Sequence, residues 1–160
     1  MIKPTTIRLI LAIAIHFHWL IRQLDVSNAF LHGFLEEEVF MEQLKGFVNE
    51  TTPDYVCKLH KSLYDLKQAP KAWFHRLSQL IKLGFQESIN DYFLFALHIA
   101  KVRIFVLIYV DDILVTRSNS SAITTLIRHL QSIFHVKDFG YLSYFLGVEA
   151  DRSSQGLHLR

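Results

Sequence analysis

Residues 104–116 read IFVLIYVDDILVT, which places two adjacent carboxylates, Asp111 and Asp112, between two apolar runs. Both runs are rich in β-branched and aromatic residues, so the pattern predicts two strands joined at the acids as a β-hairpin. Burying a charge costs several kcal/mol unless the charge is paired or binds a metal. The two acids therefore lie either in a turn exposed to water or in a site that holds a cation.

The composition of this turn favours the cation. Asp is common in tight turns, but the usual hairpin signal pairs Asp or Asn with Gly, which is missing here. A third acid, Asp25, ends another predicted strand in IRQLDV. Three carboxylates at the ends of neighbouring strands would offer Mg²⁺ the hard oxygen ligands that it prefers, as in two-metal phosphoryl transfer sites. From spacing alone, however, three acids at strand ends are a weak signal, and ordinary turn aspartates are the stronger interpretation.

Length and composition indicate one folded domain. The 160 residues are 51% hydrophobic and carry a formal net charge of only +2, so overall charge says little about a partner. The single cysteine, Cys57, excludes an internal disulfide and fits a reducing intracellular compartment.

The N-terminal segment has a basic start and an uncharged run over residues 9–21, which superficially resembles a signal peptide. This run is shorter than the roughly 20 apolar residues that cross a bilayer. We expect a buried core helix over residues 5–18, with a targeting or membrane segment as the alternative.

The remaining pattern alternates helices with hairpins. We expect helical turns closed by Gly33, a solvated loop at Glu36–Glu38, strands in VFMEQ and YVCKL, and a helix from Pro70 to Gly84. The apolar face of that helix contains Trp73, Leu77, Leu80 and Ile81.

Beyond Gly84, strands are expected in YFLFALH and on either side of the acid pair, and two short strands near the C-terminus. Ser118 or Asn119 could cap a helix that lies between the strand after the acid pair and the C-terminal strands. Its apolar face contains Ile123, Leu126, Leu130 and Phe134. This order predicts an α+β fold with an antiparallel sheet.

Residues 58–76 carry five Lys or Arg side chains against one acid, interleaved with Tyr64, Trp73 and Phe74. A phosphate backbone and its bases would favour such a stretch. A solvated helix face whose aromatic side chains turn into the core is an equally good interpretation.

Four motifs together resemble one family. QLDVSNAFLHGFLEEEVFMEQ, SLYDLKQAPKAWF, YVDDILVT and DFGYLSYFLGVE occur in the order found in the reverse transcriptase of copia-type LTR retrotransposons, a part of their Pol polyprotein. The resemblance extends from about residue 3 to about residue 151. It implies a palm-like α+β domain in which a catalytic β-hairpin of an antiparallel sheet packs on helices.

The resemblance implies roles for individual residues. Asp25, Asp111 and Asp112 match the catalytic acids that bind two Mg²⁺ ions, with Mn²⁺ as an alternative, for RNA-directed DNA synthesis. The implied nucleotide and template contacts are Phe30, Gln68, Ala69, Pro70 and Tyr109. The implied primer grip is Tyr144, Phe145, Leu146 and Gly147.

The implied partners are an RNA or DNA template with its primer and deoxynucleoside triphosphates, without a membrane. Other Pol segments or a second copy of the chain are further candidate partners. The implied location is intracellular, in cytoplasmic virus-like particles or in the nucleus. We expect residues 1–160 to form one partial domain, a palm without the N-terminal part of the fingers and without RNase H.

The chain departs from the family pattern at several positions. Asp65 stands where Gly is usual, Lys71 replaces the commoner Arg, Phe34 replaces a frequent Asp, and Arg117 stands where Gly is common. None of these is an expected metal ligand. The alternative function is that of a catalytically inactive, degenerate or domesticated retroelement fragment that at most binds nucleic acid.

Three other classes fit less well. A signalling receiver module would place a helix after the acid pair, whereas ILVT predicts a strand. The DFG at residues 138–140 resembles a kinase motif, but no Gly-rich or catalytic loop accompanies it. The nine histidines have scattered spacings that do not indicate a zinc site.

Overall fold

A computed structural model describes residues 2–118, 121–153 and 156–159. The chain divides into two compact units, one formed by Met1–Ser27 with Gln79–Arg160 and the other by Asn28–Ser78. The expectation that residues 1–160 form one partial palm domain stays a prediction.

The first unit is built on a six-stranded antiparallel sheet. Its strands are β1 (Leu20–Val26), β4 (Gln86–Ser88), β5 (Asp91–Ile99), β6 (Val102–Tyr109), β7 (Asp112–Arg117) and β8 (Val136–Tyr141). Their order is β4-β5-β6-β7-β1-β8, which leaves β8 at an edge beside β1. The predicted antiparallel α+β arrangement is confirmed, because neighbouring strands of this sheet all pair antiparallel.

Helix α1 (Pro4–His16) covers one face of this sheet, which confirms the predicted core helix. It begins at a proline, whose missing N–H is harmless in the first turn. The helix buries one apolar side in a cluster shared with the sheet and the C-terminal strands. The buried members are Ile2, Ile7, Ile10, Leu11, Ala14, Ile21, Leu107, Leu114, Leu142, Phe145 and Ala150. None of the helices in the described ranges combines the length and apolar character that crossing a bilayer requires.

The start of α1 is tied to the sheet by the buried carboxylate of Asp91. Its Oδ2 accepts the backbone N–H of Lys3 at 2.9 Å, and the Lys3 ammonium donates to the Asn90 carbonyl at 2.8 Å. Both bonds join residues almost ninety positions apart, which no local pattern in the sequence indicates.

Helix α4 (Ser121–Ile133) contacts β7 and β8. The predicted apolar face is confirmed, since the four side chains foreseen for it are all buried: Ile123, Leu126, Leu130 and Phe134. Ser118 is not its cap, because its Oγ accepts the Arg103 N–H at 3.0 Å. The other predicted cap, Asn119, lies outside the described residues.

The C-terminal part holds three short strands where two were expected. They are β9 (Tyr144–Phe145), β10 (Val148–Ser153) and β11 (Gly156–Leu159), in the order β11-β10-β9. The tight turn between β9 and β10 explains the difference, because it folds a stretch that had been assigned to one strand.

The second unit contains a 3₁₀ helix (Ala29–His32), β2 (Phe34–Glu42), β3 (Val56–Lys61) and α2 (Ala69–Leu77). The expected loop at Glu36–Glu38 is wrong: these exposed acids lie within β2, whose two-stranded ribbon with β3 leaves room for charge on a strand.

Gly33 closes the 3₁₀ helix as predicted. A side chain at this position would meet the Ala72 backbone and Cβ at 2.8 Å and Ser62 Oγ at 2.9 Å. Only glycine allows that approach.

The helix predicted from Pro70 to Gly84 is split. α2 ends at Leu77, and the short helix α3 (Gln79–Lys82) follows in the first unit. Ile81, assigned to the apolar face, is instead exposed. The prediction was wrong for Ile81 because it assumed one continuous helix, whereas the break at Ser78 changes which side chains of the last turn face the core.

Arg117, at the end of β7, is an unusual buried residue. Its side chain is 1% exposed, and none of its three guanidinium nitrogens has a hydrogen-bond partner in the described part of the chain. Burial lowers the pKa of this guanidinium. An unpaired buried cation is costly, so we expect Arg117, which departs from the family pattern, to weaken the fold.

Replacing Arg117→Met should raise the free energy of unfolding, on the order of 1–4 kcal/mol, because an apolar side chain of similar length fits the buried position. Urea unfolding would measure the change. Arg22→Met is the matched control: it removes the same charge but breaks the ion pair with Asp138 at 2.5 Å, so it should lower stability. Equal losses in both variants would contradict the interpretation of Arg117.

Candidate active site

The acid pair lies at the tip of the β6–β7 hairpin, as predicted. Tyr109 pairs with Asp112, which leaves Val110 and Asp111 as the two turn residues. Val110 has a φ of +54°, the conformation of a type II′ turn that normally requires glycine. A β-branched residue there is strained by roughly 1–3 kcal/mol, and such strain clusters at functional sites.

The third acid is brought to this tip by strand pairing. Asp25 lies directly opposite Asp112 in the register of β1 and β7. The Val26 N–H also donates to the Asp111 carbonyl at 2.8 Å, which fixes the end of β1 against the turn. Side chains opposite each other in antiparallel strands project from the same face with Cβ atoms about 4.5–5.5 Å apart.

Cross-strand pairing extends this pair of acids into a row of four residues. Tyr109 faces Asp112, Asp112 faces Asp25, and Asp25 faces Lys137 on β8. The Tyr109 side chain is partly buried and packs against the core cluster under α1. The acids therefore sit where an apolar, helix-covered face of the sheet opens to solvent.

The charges of this row act on one another. Burial raises the pKa of Asp112 above its ordinary value, and the neighbouring charges of Asp111 and Asp25 raise it further. A hydrogen bond from the Gln23 side chain lowers it in part. Asp112 thus carries its charge at an energetic cost that a bound cation would remove.

Gln23 is a site residue that the sequence interpretation missed. The available signal was the strand period, because Gln23 precedes Asp25 by two positions and so shares its face. Lys137 was missed as well, since its place opposite Asp25 depends on a pairing between distant strands.

The three carboxylates match Mg²⁺ in chemistry, because they offer only hard oxygen ligands. In the ranges that the structure describes, however, no three His, Cys, Asp or Glu side chains are gathered closely enough to form a metal site as they stand. Asp25 and Asp112 are the residues best placed to share a cation. Asp111, exposed on the turn, would need to rotate towards them.

The predicted primer grip forms the β9–β10 turn of the first unit. Leu146 and Gly147 have φ values of +50° and +82°, the signature of a type I′ hairpin. Tyr144 is exposed, whereas Phe145 is 2% exposed and packs in the core. Phe145 therefore supports this turn from beneath.

The other predicted contacts belong to the second unit. Phe30 is half-buried in the 3₁₀ helix, and its ring meets that of Tyr64 edge-on at 5.2 Å. Gln68 precedes α2, where Ala69 is buried and Pro70 exposed. Nothing in this unit excludes the predicted roles, and they stay predictions.

Gln68 lines a shallow pocket of the second unit. Lys71 and His75 on α2 and residues 34–37 of β2 complete its lining. Asp65 has a φ of +67°, which confirms that the position usually held by glycine needs a left-handed backbone.

The basic stretch combines its two interpretations. Trp73 is buried as a core side chain, while Tyr64 is 74% exposed. On β3, the ammonium groups of Lys58 and Lys61 lie over the rings of Phe40 and Phe34, at 5.9 and 5.7 Å. The Lys58 ammonium is also ion-paired with Glu38, so the ribbon presents cations, acids and aromatic rings together.

Comparison with known proteins gives one family. The sequence profile described as Reverse transcriptase (RNA-dependent DNA polymerase) matches residues 1–160. No solved structure matches this chain.

Similar proteins are Pol polyproteins of transposons. The chain is 48% and 49% identical to the Retrovirus-related Pol polyproteins from transposons RE1 and RE2 of Arabidopsis thaliana, over 99% of its length and 11% of theirs. It is 38% identical to the corresponding protein from transposon TNT 1-94 of Nicotiana tabacum, over 99% of the chain and 12% of that protein. The chain thus spans about one ninth of these relatives.

Replacing Asp112→Asn should slightly stabilise the metal-free protein at pH 7, and the gain is small because solvent screens this partly exposed group. Since the folded-state pKa of Asp112 is raised, wild-type stability falls as pH rises from 3.8 through that pKa. The variant should lack this fall. Urea unfolding between pH 4 and pH 7 measures both effects.

Glu149→Gln, which neutralises an exposed acid on β10, is the control and should leave the pH dependence unchanged. An unaltered pH dependence in Asp112→Asn would show that the carboxylate is not disfavoured in the folded protein.

Proposed function

The chain belongs to the reverse transcriptase (RNA-dependent DNA polymerase) family, and we propose that it forms the palm-like catalytic part of a copia-type retrotransposon Pol polyprotein. Its reaction would extend a primer 3′-hydroxyl with deoxynucleoside triphosphates on an RNA or DNA template. One observation carries this proposal: strand pairing sets Asp25 opposite Asp112, with Asp111 next to it on a strained turn.

The chemistry of that reaction is an in-line displacement at the α-phosphorus of the nucleotide. The primer oxygen forms the new bond while pyrophosphate leaves. Two divalent cations bound at the acids would favour the deprotonated 3′-oxygen and neutralise charge on the phosphates. Asp25 and Asp112 would hold them from adjacent strands, and Asp111 from the turn.

The protein's own contribution is positioning. Asp25 and Asp112 are carried by two neighbouring interior strands, β1 and β7, of a six-stranded sheet whose apolar face is covered by α1, so their backbone has little freedom to move. Gln23 orients the Asp112 carboxylate through its hydrogen bond. Such preorganisation lowers the barrier because the catalytic groups need not be reordered during the reaction.

The remaining roles follow from the family motifs. Phe30 would contact the sugar of the incoming nucleotide, and Gln68, Ala69 and Pro70 the template and nucleotide. Tyr109 and the exposed turn of Tyr144, Leu146 and Gly147 would contact the primer end. Other Pol segments or a second copy of the chain are proposed partners, in an intracellular location.

A second candidate function is nucleic-acid binding without catalysis. It is favoured by the absence, among the described residues, of a ready-made cluster of three metal ligands.

Primer extension with Mg²⁺ on an RNA template tests the polymerase proposal. The chain should incorporate deoxynucleotides, and Asp25→Asn, Asp111→Asn and Asp112→Asn should each reduce the rate by about 100-fold or more, because each removes a ligand charge. Glu149→Gln is the control and should retain the rate.

Extension that survives in the three Asn variants would refute the assignment of these acids. A folded chain that binds primer–template but extends nothing with either Mg²⁺ or Mn²⁺ would replace the polymerase proposal with the binding function.

A further inference from the structure

The edge strand β8 places a cation beside the acids. Lys137 lies directly opposite Asp25, and its side chain is exposed. Among the described residues it makes no ion pair, and its ammonium instead lies over the ring of Phe139, 5.3 Å from the centroid. At an exposed site a contact between a cation and an aromatic ring is weak and favours the bound position by about fivefold at most.

A β-bulge presents the Phe139 ring. Leu24 pairs with Asp138 and Gln23 with Gly140, so Phe139 is an extra residue in β8 without a partner in β1. Its side chain is 54% exposed. Bulges occur often beside active sites, where they redirect a side chain.

Two polar interactions of Asp138 stabilise the bulge. Asp138 Oδ1 accepts the N–H of Gly140 at 2.8 Å, and the same carboxylate forms the ion pair with Arg22 on β1. Gly140 has a φ of +89°, a left-handed conformation that suits glycine in a bulge. The hydrogen bond and the ion pair therefore hold the bulge, and with it the backbone of Phe139, in one conformation.

We propose that Lys137 and Phe139 form a contact for a nucleic-acid strand beside the catalytic acids. The Lys137 ammonium binds a backbone phosphate, and the Phe139 ring stacks on the adjoining base or sugar. The inference rests on the proposed function, because it places this strand at the polymerase site. It adds a binding element on β8, where the resemblance implies no role for either Lys137 or Phe139.

The chemistry supports this pairing of side chains. The two carboxylates of this row, Asp25 and Asp112, and Asp111 on the adjoining turn repel a phosphate backbone. Lys137 at the end of the row offsets that repulsion where the strand must approach. A basic group next to an exposed aromatic ring is the usual combination for binding single strands and strand ends. The ammonium can leave the ring for a phosphate without breaking an ion pair.

Protection of the sheet edge is the competing explanation, since lysines and bulges on edge strands also prevent aggregation. It predicts that loss of Lys137 lowers solubility and leaves the affinity for nucleic acid unchanged. The two explanations therefore differ in a direct binding measurement.

Fluorescence anisotropy with a labelled primer–template, in buffer without divalent ions, tests the proposal. Lys137→Gln should weaken binding about 3- to 10-fold and reduce the slope of log Kd against log salt by about one. Phe139→Leu should weaken binding without changing the salt slope, because it removes stacking and no charge. Lys137→Arg should retain the affinity.

Lys101→Gln is the matched control, because it removes the same charge from an exposed position of the same unit, where β5 turns into β6. An equal loss of affinity in this control, or an unchanged affinity in Lys137→Gln, would overturn the proposal. A loss restricted to the duplex assigns the contact to the primer, and a loss shared with single-stranded template assigns it to the template.

The outcome is separable from that of the polymerase proposal. Asp111→Asn should abolish extension but bind primer–template at least as tightly as the wild type, since it removes a repelling charge. A chain without extension whose affinity still depends on Lys137 would refute the polymerase proposal alone. Extension that depends on the acids, with an affinity indifferent to Lys137, would refute the β8 contact alone.

Discussion

The antiparallel insertion of β1 between β7 and β8 is the constraint on which the first unit depends. It sets Asp25 opposite Asp112 on one side and opposite Lys137 on the other. A shift of one residue in either pairing would turn every side chain of β1 to the opposite face and would bury the acid. The pairing register of β1 therefore determines which side chains form the site.

The face that carries the acids also carries part of the core. Ile21, Leu107 and Leu114 lie on it beneath α1, two or four residues along their strands from the row of acids. Their burial holds the sheet rigid, and it also removes water from Asp112, whose pKa rises as a result. Stability and site electrostatics thus have a common cause in the packing of α1.

The first unit contains unfavourable interactions at two places, the hairpin tip with the acids and the buried side chain of Arg117. The strained backbone of Val110 and the crowded charges of Asp25 and Asp112 occur together at one hairpin tip, where a bound cation or a substrate could offset them. The buried charge of Arg117 lies five residues along β7 from Asp112, and among the described residues nothing pairs with it. Strain at a site has a functional explanation, whereas the position of Arg117 has none in the structure.

Most of the strands, the main helices and the place of Asp111 and Asp112 at a hairpin tip could be predicted from the sequence. Strand periods around residues 104–116, the proline that opens α2 and the apolar face of α4 are all local patterns, so they could be recognised without a structure. Local patterns also gave two wrong predictions. A run of three acids is typical of a loop, but an exposed two-stranded ribbon tolerates charge, so Glu36–Glu38 lie in a strand. The helical spacing of apolar residues continues past Ser78, which concealed the break between α2 and α3.

Which residues share a face with the acids could be known only once the strands were paired in the structure. Lys137 is 112 positions from Asp25 in sequence, and the N–H of Lys3 reaches a carboxylate of residue 91. Burial of Arg117 and Phe145, and the bulge that exposes Phe139, likewise follow from pairing between distant strands. The physical reason is that hydrogen bonding between strands and desolvation depend on neighbours in space, which a pattern read along one chain does not specify.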